Sequence, residues 1–338
     1  MQNVFGLAEM RRRLTGYSVS IAISAVANLR IADFLSERPM TSAELAGLSG
    51  SDEQFLRRLL QFLASEQVFE ELEGDVFALT EQSRWLRSDV PGSLRPRAVF
   101  AACALNWMAW GSLLGSVKTG KSAIQLTFGE TLFDHLKSHP TDANVFNTFM
   151  AEQTAASVES ILSAYSFSGL REIVDVGGGH GALVAGVLRS YADLRGVLFD
   201  TPEVVASAAP FLDRAGVIDR CRLMGGDFFN EMPTGSDLYA LKFILHDWPD
   251  ADCIRILENC AHAMASEGRV LIIEHILPEE SGPSFARFMD MNMLVLTSGG
   301  RERTRQEFTQ LLKAAGLRLQ RLVPTEIGLY VIECVALA

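Results

Sequence analysis

Val174-Asp175-Val176-Gly177-Gly178-Gly179-His180-Gly181 is the stretch from which the fold of this chain is read. The apolar, β-branched run from Glu172 to Val176 enters three consecutive glycines, and a small-residue helical pattern, Ala182 to Arg189, follows. The order predicts a buried strand, a tight turn and a helix. Glycines in such a turn admit positive φ and let a ligand lie directly on the backbone. The spacing is G-x-G-x-G, with Asp175 two residues ahead of the first glycine. The dinucleotide fingerprint is G-x-G-x-x-G and holds a pyrophosphate on the helix N-terminus. The offset of one glycine and the preceding acid favour a ligand without phosphates that carries a cationic centre. A glycine turn of a doubly wound sheet with no ligand at all is the alternative that the loop alone leaves open.

The strands that follow bear on that alternative. Arg195 to Phe199 is a second apolar strand and ends at Asp200, about 20 residues past the glycines, where an acid bonds ribose hydroxyls in nucleoside-binding α/β folds. A third strand, Arg220 to Met224, runs into Gly225-Gly226-Asp227-Phe228. There Asp227 is placed to accept from an adenine amino group and Phe228 to cover the ring. Any one of these acids has an ordinary reading as a turn residue or helix cap. Three acids at three successive strand ends point to a nucleoside. S-adenosylmethionine, a nucleoside bearing a sulfonium and an ammonium, is such a ligand.

At 338 residues the chain has room for two domains and a large core. Its net charge of −11 argues against sequence-independent binding to nucleic acid, and the one basic cluster, Arg11-Arg12-Arg13, reads as a solvated helix face. The five cysteines (Cys103, Cys221, Cys253, Cys260, Cys334) have no C-x-x-C spacing and are odd in number, as suits free thiols in a reducing cytoplasm. The N-terminus has no signal-peptide pattern. The most apolar stretch, Val99 to Val117, contains asparagine, serines and glycines and reads as a buried or interface helix, not a membrane span.

Upstream of the glycine loop the pattern is helical. Tyr17 to Leu35 has apolar residues at helical spacing, Thr41-Ser42-Ala43-Glu44 has the form of a capping box, and Ser51-Asp52-Glu53-Gln54 opens a helix through Leu63. Val68 to Leu72 and Val76 to Leu79 then flank a Glu73-Gly74-Asp75 turn, which is a hairpin signal. Three helices and a hairpin make a winged-helix module. Its third helix offers only Arg57 and Arg58 and its wing is acidic, so a protein–protein role is the expectation over DNA binding. Arg97 to Ala164 is helical and rich in aromatic and methionine residues, mainly core, where a flat apolar substrate also finds room. The expected division is a domain of residues 1–164 and an α/β domain of residues 165–338. The last two strands, Arg318 to Val323 and Leu329 to Ala336, are joined by a link so short that they must be antiparallel.

The chemical residues gather on the carboxyl rim of this sheet, where ligands of open α/β folds bind. Leu238 to Lys242 is a fourth strand running into Phe243-Ile244-Leu245-His246-Asp247-Trp248, Val270 to Glu274 is a fifth, and Glu302 lies in Gly299-Gly300-Arg301-Glu302-Arg303-Thr304 before a helix around Phe308 to Ala315. A carboxylate beside His246 would fix its tautomer and raise its basicity. For Glu302 a surface pairing with Arg303 or Arg305 is the open alternative.

These segments, with Glu274-His-Ile-Leu-Pro278, occur in the order seen in one family, and over nearly its whole length the chain resembles the small-molecule O-methyltransferases of the plant caffeic acid/flavonoid type and their bacterial natural-product relatives. The resemblance implies a class I methyltransferase Rossmann-like α/β sheet with a terminal antiparallel hairpin, behind a helical winged-helix dimerisation domain. It implies His246 as general base flanked by Glu274 and Glu302, and cofactor contacts at Gly177, Gly179, Asp200, Asp227, Phe228 and Lys242. It implies an acceptor pocket lined by Phe146, Met150, Met289 and Met293, and a homodimer in which Trp107 or Trp110 reaches the partner's pocket. The expected reaction carries a methyl group to a hydroxyl of a small aromatic metabolite, phenolic or polyketide-like, in the cytoplasm, with no membrane or nucleic-acid partner. No metal is called for: His135 and His139 lack the Glu of a zincin motif and are expected to face solvent. Relatives of this fold that decarboxylate or hydroxylate, and a winged-helix regulator sensing a metabolite, are the competing readings.

Overall fold

The computed structural model describes residues 2–337. Its chain divides into two compact units, one running to Trp107 and including His139–Gln153, the other made of Met108–Ser138 and the chain from Thr154 onward.

In the first unit, α1 (Gln2–Asn28) and α2 (Ile31–Phe34) precede β1 (Met40–Thr41), α3 (Ser42–Ser49), α4 (Glu53–Ser65) and the hairpin β2 (Phe69–Leu72) and β3 (Val76–Leu79). Thr41 and Glu44 close the expected capping box at the start of α3. The cap of α4 is Asp52, one residue past Ser51, its carboxylate accepting from Phe55 N–H. The three strands pair antiparallel in the order β1-β3-β2, and Ile31, Leu45, Leu60, Leu63, Phe69 and Phe77 form the core beneath them. This is the winged-helix arrangement. The helix expected over Tyr17 to Leu35 is instead two: α1 starts far upstream and stops at Asn28, and Arg30 turns left-handed at φ 58°. Apolar periodicity continues across that break because both helices face the same core.

The aromatic-rich segment is a series of short helices, α5 (Arg95–Ala101), α6 (Ala104–Gly111), α7 (Leu113–Thr119), α8 (Ala123–Phe128) and α9 (Leu132–Ser138), before the long α10 (Pro140–Ala164). Val99 to Val117 is therefore not one helix. Asn106 donates its side-chain amide to the Ala101 carbonyl (2.8 Å), a local bond that competes with the helical ladder. Among the described residues no helix is long and apolar enough to cross a membrane, and the cysteines are free thiols.

The second unit is built on β4 (Glu172–Val176), α11 (Ala182–Ser190), β5 (Arg195–Asp200), α12 (Pro202–Arg214), β6 (Cys221–Gly225), β7 (Leu238–Lys242), α13 (Asp250–Ala263), β8 (Arg269–Glu274), β9 (Ile276–Leu277), α14 (Phe285–Leu296), β10 (Arg303–Thr304), α15 (Arg305–Ala314), β11 (Leu317–Pro324) and β12 (Tyr330–Ala336). Among the described residues, seven of these strands form one sheet in the order β11-β12-β8-β7-β4-β5-β6. The five from β8 to β6 are parallel, and β12 runs antiparallel to both its neighbours. Parallel strands covered by helices on both faces are buried along their length, which is why β7 is buried throughout and β8 carries the continuous apolar run Val270 to Ile273. The chain leaves β4 toward β5 and β6, then returns to lay β7 on the other side of β4. That reversal puts the crevice of the sheet at the carboxyl ends of β4 and β7.

Helix α11 is pressed on α10 at Gly186, where an added Cβ would lie 2.2 Å from Val158 Cγ1. By helix propensity alone, Gly186→Ala should stabilise by about 1 kcal/mol. Overpacking reverses the sign, and we expect a net loss of about 1–3 kcal/mol, read from the denaturant midpoint, with Val158→Ala restoring it in the double variant.

Candidate active site

The glycine loop after β4 takes the conformation its composition permits: Gly177, Gly179 and Gly181 have φ of 64°, 60° and 83°. A Cβ at Gly177 would stand 2.4 Å from Ile244 Cδ1, so the loop and the segment after β7 are in contact at a point where no side chain fits. Gly179 has nothing within 4 Å of its missing Cβ, which leaves an open face over the loop. At the end of β5, Asp200 accepts from Gly179 N–H (2.8 Å) and from Thr201 N–H (2.7 Å), and burial raises its carboxyl above the usual range. Phe228 stands beside Gly177, half-buried. Asp227 accepts from Phe229 N–H and the Asn230 amide, the turn-capping role that its residue type also allows.

Asp175 is turned into the protein. It is buried beneath the loop and accepts from Val184 N–H (3.1 Å), tying the strand to the first turn of α11. Lys242 shares this interior. Its ammonium donates to Thr154 Oγ1 (3.1 Å) and sits 3.8 Å over the ring of Phe243. Burial pushes Asp175 up to about 7 and Lys242 down to about 7, each charge opposing the other's shift. Phe243 is the buried member of the left-handed non-glycine residues, at φ 55°. Such backbone costs on the order of 1–3 kcal/mol and persists where its surroundings over-determine it. The turn lays the Phe243 ring nearly parallel to the imidazole of His246, at 5.2 Å between centroids and 11° between planes.

His246 is buried, in the 3₁₀ turn Leu245–Asp247. Glu302 Oε1 lies 2.9 Å from its Nδ1. A carboxylate accepts, so in the neutral imidazole Nδ1 carries the proton and Nε2 holds the lone pair. Asp247 Oδ1 is 3.7 Å from that Nε2. Glu274 lies beside His246 through the backbone: its Oε1 accepts the N–H groups of Ile244 and His246, each at 3.1 Å, so it clamps the turn and has no hydrogen bond to the imidazole. Burial pushes Glu274 up to about 7 and Asp247 up to about 6. Burial by itself would depress His246, but Asp247, Glu302 and Glu274 outweigh it and push the imidazole up to about 9.

The loop that delivers Glu302 is locked. Arg303 is buried and does not pair with Glu302. Its guanidinium donates to the carbonyls of Leu245 (2.9 Å) and Trp248 (2.9 Å) and to Asp250 (2.8 Å). Glu302 is itself buried, so the surface pairing left open by the sequence does not occur. Gly300 packs against the same turn, since a Cβ there would lie 2.3 Å from the His246 carbonyl oxygen. Trp248 completes the wall, stacked on Phe133 at 5.6 Å and edge-on to Phe229 at 4.8 Å.

Backbone amides, a carboxylate at a strand end, an aromatic wall and buried acids, without a cluster of cations for a pyrophosphate, fit a nucleoside with a positive centre. The sequence matches the model of the O-methyltransferase domain over residues 110–318 and that of the O-methyltransferase dimerisation domain over residues 12–89. The chain belongs to the O-methyltransferase family. It is 41% identical over 320 residues to the phenazine O-methyltransferase PhzM of Lysobacter antibioticus, covering 95% of this chain and 93% of that one. It is 38% identical to the mitomycin biosynthesis 6-O-methyltransferase of Streptomyces lavendulae, covering 91% and 88%. Among solved structures, LaPhzM superposes with a TM-score of 0.93 at 39% identity, covering 98% and 99%. NcsB1 of neocarzinostatin biosynthesis, solved with S-adenosylmethionine and 2-hydroxy-5-methyl naphthoic acid, superposes with a TM-score of 0.80 at 30% identity, covering 94% and 96%. The protein is thus an S-adenosylmethionine-dependent O-methyltransferase with the family's dimerisation domain.

Of the residues that the resemblance assigns to the acceptor pocket of this O-methyltransferase, Met289 and Met293 are buried one turn apart on α14, in the second unit. Phe146 and Met150 lie on α10 in the first unit, and Phe146 packs on Phe100 at 5.9 Å. His135 is not solvated, contrary to expectation: it is buried, with Nδ1 2.8 Å from Glu130 Oε1 and its ring 4.6 Å from that of Phe128. Sequence reasoning passed over Arg303 and Gly300 as site residues; their position beside Glu302 was the available signal. Gly300→Ala should push the His246 turn out of place and cut kcat about 100-fold, the order a shift of about 1 Å costs. S-Adenosylhomocysteine affinity, read by calorimetry, should stay within about threefold, since the glycine loop is untouched.

Proposed function

We propose that this enzyme transfers a methyl group from S-adenosylmethionine to a hydroxyl of a small, flat aromatic metabolite, with His246 as the general base. The observation that carries this reading is the buried Nδ1–Glu302 hydrogen bond of 2.9 Å, which leaves Nε2 as the proton acceptor once the imidazole is neutral. Bound S-adenosylmethionine supplies an electrophilic methyl group on a positively charged sulfur; Gly177, Gly179, Asp200, Asp227, Phe228 and Lys242 would hold it. The chain's own task is to make a nucleophile. A phenol with a pKa near 10 is mostly protonated at neutral pH, and a placed base removes its proton as the bond forms. His246 Nε2 takes that proton, Glu302 holds the imidazole in the productive tautomer and stabilises the imidazolium, and Glu274 keeps the turn beneath it rigid. Met289 and Met293, on α14, are the acceptor contacts proposed within the second unit. Relatives that act on phenazine, mitomycin and naphthoate skeletons support a fused or polycyclic acceptor here.

We place the enzyme in the cytoplasm and take its N-terminal domain to end at residue 164; the first helix supports a homodimer formed through that domain. Leu7, Met10, Leu14, Tyr17 and Ile21 are exposed and recur at alternating steps of three and four, the seam spacing of paired helices. Leu14→Glu should convert the dimer to monomer in analytical ultracentrifugation; a dimer that persists would move the contact elsewhere.

The deciding assay is methyl transfer to a panel of hydroxylated phenazines, quinones and naphthoates, beside calorimetric titration with S-adenosylhomocysteine. His246→Ala should lower kcat about 10²–10⁴-fold with product affinity intact. Equal loss of both would make His246 structural. Because the base must be unprotonated, turnover falls as pH falls through the His246 pKa, so the rising limb of kcat/KM should lie above 6.5. Glu302→Gln removes one of the charges that raise it and should move the limb to lower pH.

A further inference from the structure

We propose that Asp290 is a positioning residue for methyl transfer, tying the helix that carries Met289 and Met293 to the carboxylate that orients His246. This rests on the general-base reading and extends it to a residue that never meets the reacting atoms. Asp290 Oδ1 accepts the backbone N–H of Glu302 at 3.0 Å, across 12 positions of sequence. Glu302 in turn holds His246 Nδ1 at 2.9 Å. Two hydrogen bonds therefore run from α14 to the imidazole.

The anchoring is directed at the right place. Glu302 is buried, its Oε2 finds no hydrogen-bond partner, and the amide that Asp290 holds belongs to the same residue. Its neighbours Gly300 and Arg303 fix the loop from the side of the His246 turn, whereas Asp290 fixes it from α14. Met289 precedes Asp290, accepts from the Asn292 amide through its sulfur (3.7 Å), and shares a helix face with Met293. Displacement of α14 by an acceptor seated on the two methionines is carried straight to Glu302. Acceptor fit and the basicity of His246 become one mechanical variable.

The charges around this link are defined. Asp290 faces Glu302, Arg301 and Glu307; His246 faces Asp247, Glu302, Glu274 and His275. Without the Asp290 oxygen, Glu302 N–H loses its acceptor and the carboxylate no longer sits at its bonding distance from Nδ1. The imidazole then gives up part of the support that keeps it basic, and the rising limb of the pH profile moves toward lower pH.

The test compares Asp290→Ala, Asp290→Ser and Asp290→Asn in the full-length enzyme. Serine is polar but too short to reach the amide; asparagine keeps a carbonyl oxygen that can accept it. We expect kcat to fall about 10–100-fold in the alanine and serine variants, with a raised acceptor KM, a limb shifted acidward by about one pH unit, and S-adenosylhomocysteine affinity within about threefold. Asparagine should restore kcat to within about threefold and return the limb. Equal impairment in all three, or a limb that stays fixed in the alanine and serine variants, overturns the assignment. Turnover that survives His246→Ala would instead sink the general-base reading, whatever the Asp290 series gives.

Discussion

The hydrogen bond between His246 and Glu302 joins side chains 56 positions apart, and two loops must be held against each other for it to form. A buried guanidinium does this. Arg303 sits next to Glu302 in sequence, and its donors reach the carbonyls on either side of His246, at Leu245 and Trp248. A planar group with five donors in a fixed fork can bond several backbone oxygens at once, which a lysine at the same position could not. Asp250, at the first turn of α13, balances the charge from the solvent side. The histidine, its carboxylate partner and the entry to the following helix are thus fixed by one residue that does no chemistry.

Around that fixed point the site holds more acid than base. Asp175, Asp247, Glu274 and Glu302 are enclosed with Lys242 and His246, and the carboxyls of Asp175, Asp247 and Glu274 are pushed upward by burial. Burying ionisable groups is costly unless each is bonded. Two of the acids are bonded to backbone amides: Asp175 to Val184, Glu274 to Ile244 and His246. The acids therefore do structural work at the strand ends and supply a negative field at the same time. A positive donor group and a transient imidazolium are both favoured in such a field.

Much of the frame was legible in the sequence, because its signals are local. Three glycines after a β-branched strand, acids at successive strand ends, and a final pair of strands with a short link each need only a few neighbouring residues to be read. The winged-helix capping box at Thr41 and Glu44 is equally local. What could not be read depends on partners distant in sequence. Asp175 looked like a ligand contact because its spacing to the glycines is right, yet its carboxylate turns under the loop to Val184. Arg303 looked like a surface charge because arginine usually is one; only the carbonyls of another loop make its burial tolerable. His135 was mistaken for the same reason, since Glu130 and Phe128 supply the environment that encloses it. The helix end at Asn28 was hidden because apolar spacing ran on through the left-handed Arg30.

The reversed strand β12 has one more effect, on the sheet's outer margin. It places β11 at the edge, with a register irregularity between Leu319 and Arg321 and with Arg318, Gln320 and Arg321 turned to solvent before the strand ends at Pro324. A bulged, charged, proline-terminated edge is a poor template for another chain's backbone. At the far margin β6 is a short strand that ends in Gly225. Neither border of the sheet offers a long flat ladder, so uncontrolled edge-to-edge aggregation is disfavoured even though the interior strands are among the stickiest segments of the chain.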